Sequence, residues 1–284
     1  MQAPILCLGP DDRGFPPALE HVTPAPEALW LRGQERWLQA ADLVAVVGTR
    51  SPTPYGLAQA RRFATAIAAR GGVVVSGMAR GIDQAAHRAA LDAGGGTIAV
   101  LGSGVDRPWP RDPIAGELAA QGLLLSEYAP GQAPRRHHFP LRNRLISGLA
   151  RGVLVVEAAY ASGSLITARW AVEQGREVWA LPGRVDQPMA HGTHRLLREG
   201  AILVEHPDEL FTGERLDGAC APHESTSTDP IENALIGETA TVDELAQRTR
   251  RPVDEVLARL AQLELDRRVV RAPGGLYRLA IHGG

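Results

Sequence analysis

Arg135, Arg136, Arg142, Arg144 and Arg151 stand beside His137, His138 and Phe139 within residues 132–151, and no Asp or Glu occurs between Glu127 and Glu157. A guanidinium offers a planar fork of donors that grips a phosphate bidentately, and an aromatic face stacks on an unpaired base. That is chemistry for a polyanion. A solvated helix face, or arginines paired to acids elsewhere in the fold, would give the same run of charge. The stretch alone leaves both readings open.

A second group of segments shares the same chemistry. They read G-T-R-S-P-T-P-Y-G at 48–56, S-G-M-A-R-G-I-D at 76–83, G-S-G-V-D at 102–106, E-A-A-Y-A-S-G-S-L-I-T at 157–167 and P-G-R at 182–184. Glycine lets backbone approach an anion, amides at a helix start point toward it, and hydroxyls with Arg50 and Arg80 add donors. A single such loop is as well explained by an ordinary turn, and Ser162 or Asp83 by a helix N-cap. Several converging on one edge favour a phosphate-binding crevice.

The elements that would bring them together are legible. Apolar runs at Leu43–Val47, 73–75, 97–101, 123–125, 153–156, 178–181 and 201–204 alternate with amphipathic stretches such as 57–70, 84–93 and 166–174. Short, continuously apolar strands alternating with helices predict an α/β fold, a doubly wound and mostly parallel sheet of extended Rossmann-like kind. Such sheets bind ligands beyond the carboxyl ends of their strands. Residues 140–150 read as a further helix, its Leu141, Leu145, Ile146 and Leu149 turned to the sheet. That helix and the loop before it would lean over the crevice as a basic lip.

The 284-residue chain carries 30 basic and 32 acidic residues, so any polyanion site must be local. All its cations except histidine are arginine. Cys7 and Cys220 suggest no disulfide framework or metal cluster, and no apolar run approaches a membrane span. A cytoplasmic protein without cofactor or metal is expected. No G-x-G-x-x-G follows the first strand of the sheet, and the absence of Lys rules out a P-loop. Catalytic groupings are poor: Glu157 sits at a strand end without a partner in sequence, and His87, one turn beyond Asp83, reads as a packing residue.

The ordered motifs G-T-R-x-P-T-x-Y-G, S-G-M-A-R-G-I-D-x-A-A-H, L-G-S-G-x-D, L-L-S-E-Y-x-P-G, F-P-x-R-N-R-x-I-S-G-L, V-x-V-V-E-A-x-x-x-S-G-S-L-I-T-A and R-E-V-x-A-L-P-G resemble the DNA-processing protein A family (DprA, also called Smf) over residues 14–281. The resemblance implies a non-enzymatic, sequence-independent single-stranded DNA binder. Such a protein would protect incoming DNA in natural transformation, load RecA recombinase onto it and form a homodimer; the resemblance also allows single-strand binding protein as a partner. It implies a DNA site made of Gly48, Thr49, Arg50, Ser76, Gly77, Arg80, Phe139, Arg142, Asn143 and Arg144. Gly102, Gly104, Ser162 and Ser164 of the converging loops extend that site. Dimer and RecA contacts would fall around residues 193–199 and 201–204. The N-terminal helical, SAM-like domain of many family members would be missing, since only thirteen residues precede Gly14.

Four segments are expected: a lead-in at 1–41 packing on the core, with a short strand at 28–31; the Rossmann-like domain at 42–212; a linker at 213–230; and a winged helix at 231–284. In the last, Thr241 and Glu244 form a capping box, and Pro252 starts a helix with a buried stripe of Val253, Val256, Leu257, Leu260 and Leu263. Residues 269–271 and 276–279, joined through Pro273-Gly274-Gly275, would form the wing. Residues 231–280 hold eight acids and eight arginines, and the third helix shows Asp254, Glu255 and Glu264, so little DNA affinity is expected of it. Two other functions compete. One is a phosphoribohydrolase-type nucleotide enzyme, whose P-G-G-x-G-T-x-x-E run is absent; the other is a regulatory winged helix on a ligand-sensing domain.

Overall fold

A computed structural model describes residues 3–212, 229–235, 239–266, 268–272 and 275–279, in two compact units, Met1–Arg215 and Leu216–Gly284. Residues 213–228 of the linker expected at 213–230, including Cys220, and Pro273 and Gly274 of the wing turn lie outside the described residues, while Asp229 and Pro230 cap and start a helix.

The first unit is built on a nine-stranded sheet. Its strands are β1 (Ile5–Leu8), β2 (Leu29–Gly33), β3 (Leu43–Val47), β4 (Val73–Ser76), β5 (Gly96–Val100), β6 (Leu123–Ser126), β7 (Gly152–Val155), β8 (Glu177–Ala180) and β9 (Ile202–Leu203). Their order is β1-β2-β6-β5-β4-β3-β7-β8-β9. Every pairing from β6 to β9 is parallel, whereas β1 with β2 and β2 with β6 are antiparallel. Residues 3–41 therefore supply two strands of the sheet itself, Trp30 standing opposite Ser126 and Leu31 opposite Leu125.

The helices between the strands are α1 (Pro54–Ala69), α2 (Ile82–Asp92), α3 (Ile114–Ala120), α4 (His138–Leu149), α5 (Ser164–Glu173) and α6 (His191–Arg198). β3 to β7 are buried at every position, because both faces are covered. Alternate residues divide between the layers. Ala45, Val47, Val75, Val100 and Val155 pack with Leu145, Ile146 and Leu149 of α4 and Ala168 and Ala171 of α5. Val44, Val46, Val74 and Leu154 pack with Phe63 and Ile67 of α1 and Ile82 and Ala86 of α2. From β3 the chain winds outward through β4, β5 and β6, then restarts at β7 on the other side of β3. The carboxyl ends of β3 and β7 thus flank the topological switch point.

Several helices begin inside the segments read as open loops. Thr53 caps α1 by accepting from the Gly56 amide at 3.1 Å, with Pro54 in the first turn, so the Pro-Tyr-Gly part of that motif is helix.

The second unit contains α7 to α9 of the remaining helices once Glu209–Thr212 at the end of the first unit is set aside: α7 (Pro230–Ala234), α8 (Val242–Thr249) and α9 (Val253–Leu265), with strands β10 (Val269–Ala272) and β11 (Leu276–Leu279) pairing antiparallel. The expected capping box is present: the Thr241 hydroxyl accepts from the Glu244 amide at 3.3 Å, and the Glu244 carboxylate accepts from the Thr241 amide at 2.7 Å. The stripe of α9 differs from expectation. Val256, Leu260 and Leu263 are buried, while Val253 and Leu257 lie 44% and 47% exposed.

Candidate nucleic-acid interface

At the end of β3 the backbone is locked to its neighbour across the switch point. The Thr49 amide donates to the Glu157 carbonyl at 2.7 Å, and a β-carbon on Gly48 would stand 2.6 Å from Ile82. Thr49 is buried and its hydroxyl donates to the Met189 sulfur at 3.4 Å. Glu157, 4% exposed, accepts from the Thr53 amide at 2.9 Å and the Thr53 hydroxyl at 2.5 Å. Its carboxylate braces the start of α1. Arg50, beyond this brace, is exposed.

The β4–α2 loop is closed by an acid of its own. Met78 and Gly81 adopt left-handed conformations (φ 57° and 89°), which turn the chain sharply. Asp83, in the first turn of α2, reaches back and accepts from the Gly77 amide at 3.1 Å and the Ala79 amide at 3.3 Å. The Ser76 hydroxyl donates to the Val46 carbonyl at 2.6 Å, buried between strands. The amide and hydroxyl read as phosphate donors are thus already used. Burial raises the Asp83 pKa, and the nearby Arg142 charge opposes the rise. Arg80 stays exposed.

Two of the arginines expected on the lip are inside the protein. Arg142 is 4% exposed; its Nη1 donates to the Val100 carbonyl, its Nε donates to Asn143 Oδ1 at 3.0 Å, and its Nη2 lies so close over Gly77 that a β-carbon there would be 2.3 Å away. Burial lowers its pKa to about 10, with Asp83 opposing, so it stays charged at neutral pH. Arg144 is 1% exposed and bonds both Glu127 oxygens at 2.7 and 2.6 Å while its Nε donates to the Pro24 carbonyl at 2.9 Å. It clasps the 3–41 segment to the end of β6 and is not placed to hold a strand. The physical reason is that α4 is covered nearly all round, so a cation in it must find an internal partner.

The remaining expected residues are brought to the same edge with different exposures. Phe139 is half-buried, its ring 3.0 Å from where a Gly102 β-carbon would be and 5.9 Å from the Arg142 guanidinium. Asn143 donates to the Gly163 carbonyl at 3.4 Å, tying α4 to the β7–α5 loop, where the Ser162 and Ser164 hydroxyls bond each other at 2.8 Å. The Gly104 amide donates to the Gln132 carbonyl at 2.9 Å. His138 stacks on Tyr128 with centroids 3.9 Å apart, and burial lowers its pKa, so it adds no charge at neutral pH. His87 is fully buried, 2.7 Å from the Thr97 hydroxyl, and burial lowers its pKa to about 3.

What is left open is a rim. Arg50, Arg80, Arg135 and Arg136 are exposed and have no carboxylate partner among the described residues. They border loops several of whose donors are satisfied internally, with Phe139 among them. Several separate guanidinium groups around an aromatic face can hold successive phosphates and stack a base. Sequence reasoning missed Asp83, Glu127 and Glu157 as anchors; the signal available was an acid at a strand end or first helical turn beside glycines that must lie close to it.

Fold and rim together define a Rossmann-like domain with an electropositive loop edge, carried in one chain with a winged-helix domain. The model of the DNA recombination-mediator protein A family matches residues 7–214, and that of the DprA winged helix domain matches residues 220–275. Protein Smf of Escherichia coli K12 is 42% identical over 285 residues, covering 95% of this chain and 76% of its own. The chain belongs to the DNA recombination-mediator protein A family, whose members are also called DprA or Smf. Among solved structures, DNA processing protein A from Streptococcus pneumoniae matches with a TM-score of 0.70 at 40% identity, over 72% of this chain and 73% of its own. The Helicobacter pylori protein, described for its single-stranded DNA binding mode, matches with a TM-score of 0.67 at 31% identity, over 74% and 96%.

Proposed function

We propose that this protein binds single-stranded DNA without base preference along the rim of Arg50, Arg80, Arg135 and Arg136, with Phe139 stacking on a base. It hands the strand to RecA recombinase as a homodimer and performs no catalysis. The observation that carries the reading is the set of unpaired guanidinium groups at the carboxyl edge of a sheet whose neighbouring acids, Asp83 and Glu157, are engaged by backbone amides. That engagement also supports a binding role over an enzymatic one, since neither carboxylate faces a substrate position. The Helicobacter pylori relative's single-stranded DNA binding supports the choice of ligand. Within the DNA site, Arg142 and Asn143 position the Phe139 turn from beneath, and Arg144 holds the fold.

Self-association is best accommodated at the far end of the sheet. A cavity of about 500 Å³ lies there, lined by Leu165, Val172, Arg195, Leu196, Glu199 and Ile202 among others, with Val172 68% exposed. Thr193, expected in that contact, is buried and donates to the Ala190 carbonyl at 3.0 Å, so the contact would use later residues of α6.

Titration of single-stranded and duplex oligonucleotides across salt concentrations tests the DNA reading. Log K should fall with log salt by about 0.7 per phosphate neutralised, and Arg50→Ala should make the slope shallower by about that amount. No single-strand preference, or release of free base from a nucleotide, would sink it.

A further inference from the structure

The loop from β5 to α3 carries the sequence Arg107-Pro108-Trp109-Pro110-Arg111. Trp109 is 47% exposed, whereas Trp179 is buried and the other three tryptophans are half-buried. No ring stack or guanidinium contact engages it among the described residues. Arg107 and Arg111 are exposed and likewise have no carboxylate partner among the described residues. The two acids of the loop are engaged: Asp106 accepts from the Gly131 amide at 2.8 and 2.9 Å, and Asp112 accepts from the Ile114 amide at 3.0 Å.

The loop is also held in place. The Ser103 hydroxyl donates to the Arg107 carbonyl at 2.8 Å, and the Arg107 amide donates to the Gly104 carbonyl at 2.9 Å. The bonds from Gly131 to Asp106 and from Gly104 to Gln132 join it to the segment that leads into Arg135 and Arg136. Pro108 and Pro110 restrict the backbone on both sides of the indole. An exposed tryptophan left free on a soluble surface, fixed in position and flanked by unpaired guanidinium groups, suits one ligand class well: an unpaired base with phosphates on either side.

We propose that Trp109, between Arg107 and Arg111, is a second stacking platform for a base of the bound strand, extending the rim from Arg135 and Arg136 onto the β5–α3 loop. The proposal rests on the single-stranded DNA reading and adds a subsite to it.

The test uses the full chain with oligothymidylates of increasing length, followed by intrinsic tryptophan emission and by fluorescence anisotropy of labelled DNA. Wild type should show emission quenching on binding. Trp109→Ala should weaken binding of the longer oligomers roughly 5- to 100-fold without changing the salt slope, since stacking carries no counterion release. Trp109→Phe should retain most of the affinity and lose most of the quenching. Arg107→Ala and Arg111→Ala should each reduce the salt slope by about 0.7. Wild-type binding with Trp109→Ala indistinguishable from it at every length would overturn this subsite and leave the rim intact. No binding of any oligomer by wild type would overturn both.

Discussion

The loop edge of the Rossmann-like unit and the third helix of the winged-helix unit both carry acids and arginines, in opposite arrangements. At the loop edge the acids are turned inward, Asp83 and Glu157 onto backbone amides and Glu127 onto Arg144, and the exposed residues are Arg50, Arg80, Arg135 and Arg136. On α9 the pattern is reversed: Asp254, Glu255 and Glu264 are exposed, and its one arginine, Arg259, pairs with Asp229. Arg268 pairs with Glu232 at 2.6 Å. Partnering, more than the count of arginines, decides whether a surface offers charge to a polyanion. A protein of formal net charge -2 can in this way present one strongly cationic edge.

The comparison separates buried from open arginines, and Arg144 gives the largest effect. Arg144→Ala leaves Glu127 without its partner in a site where the pair is 1% and 13% exposed, so denaturant unfolding should show a loss of about 3–5 kcal/mol. The salt slope of DNA binding by the protein that remains folded should be unchanged. A fall in slope like that of Arg50→Ala would place Arg144 on the strand after all.

Acid should divide the two units next. His87 titrates near 3 in the folded chain against an ordinary value of 6.5, so the unfolded chain takes up the proton first. The stability His87 contributes is full above about pH 6.5 and is lost as pH falls toward 3, about 3 kcal/mol of it by pH 4. His138, also shifted down by burial, acts in the same direction. The second unit has no histidine among its described residues, and all five tryptophans lie in the first. Tryptophan emission should therefore report acid unfolding of the first unit ahead of the helical signal of the second, and His87→Gln should flatten the pH dependence.

The smallest expected effects sharpen the contrast from the side of DNA. Arg50→Ala combined with Arg80→Ala should reduce the single-strand salt slope by about 1.4. The wing carries two exposed arginines, Arg271 and Arg278. Replacing both with Ala should change that slope by less than about 0.3 if the winged helix adds little affinity. A change as large as that of the rim pair would show two DNA-binding surfaces.

The sheet was largely legible because each central strand is a continuous apolar run, as at Leu43–Val47, with an amphipathic helix on either side. β1 was not: Ile5 and Leu6 are 39% and 42% exposed on an edge strand of four residues, which carries neither alternation nor length. The site was legible as a place and less so as a set of side chains. Residue type identifies Arg142 and Arg144 as cations, but only the fold shows the Val100 carbonyl or Glu127 waiting for them. Likewise Glu157 has no companion in its own segment, because the residue it holds, Thr53, arrives from the start of α1, with Gly56 packed against the carboxylate.

That last contact has a consequence for how the sequence can vary. A β-carbon on Gly56 would lie 2.1 Å from Glu157 Oε2, so no side chain at 56 is compatible with glutamate at 157 in this position. The two sites are interdependent despite their separation in the chain. A library that randomises position 56 alone should return glycine, while Gly56→Ala gains a route only when paired with a shorter acid, Glu157→Asp, whose carboxylate withdraws from the helix start. Neutral drift at either site must wait for the other.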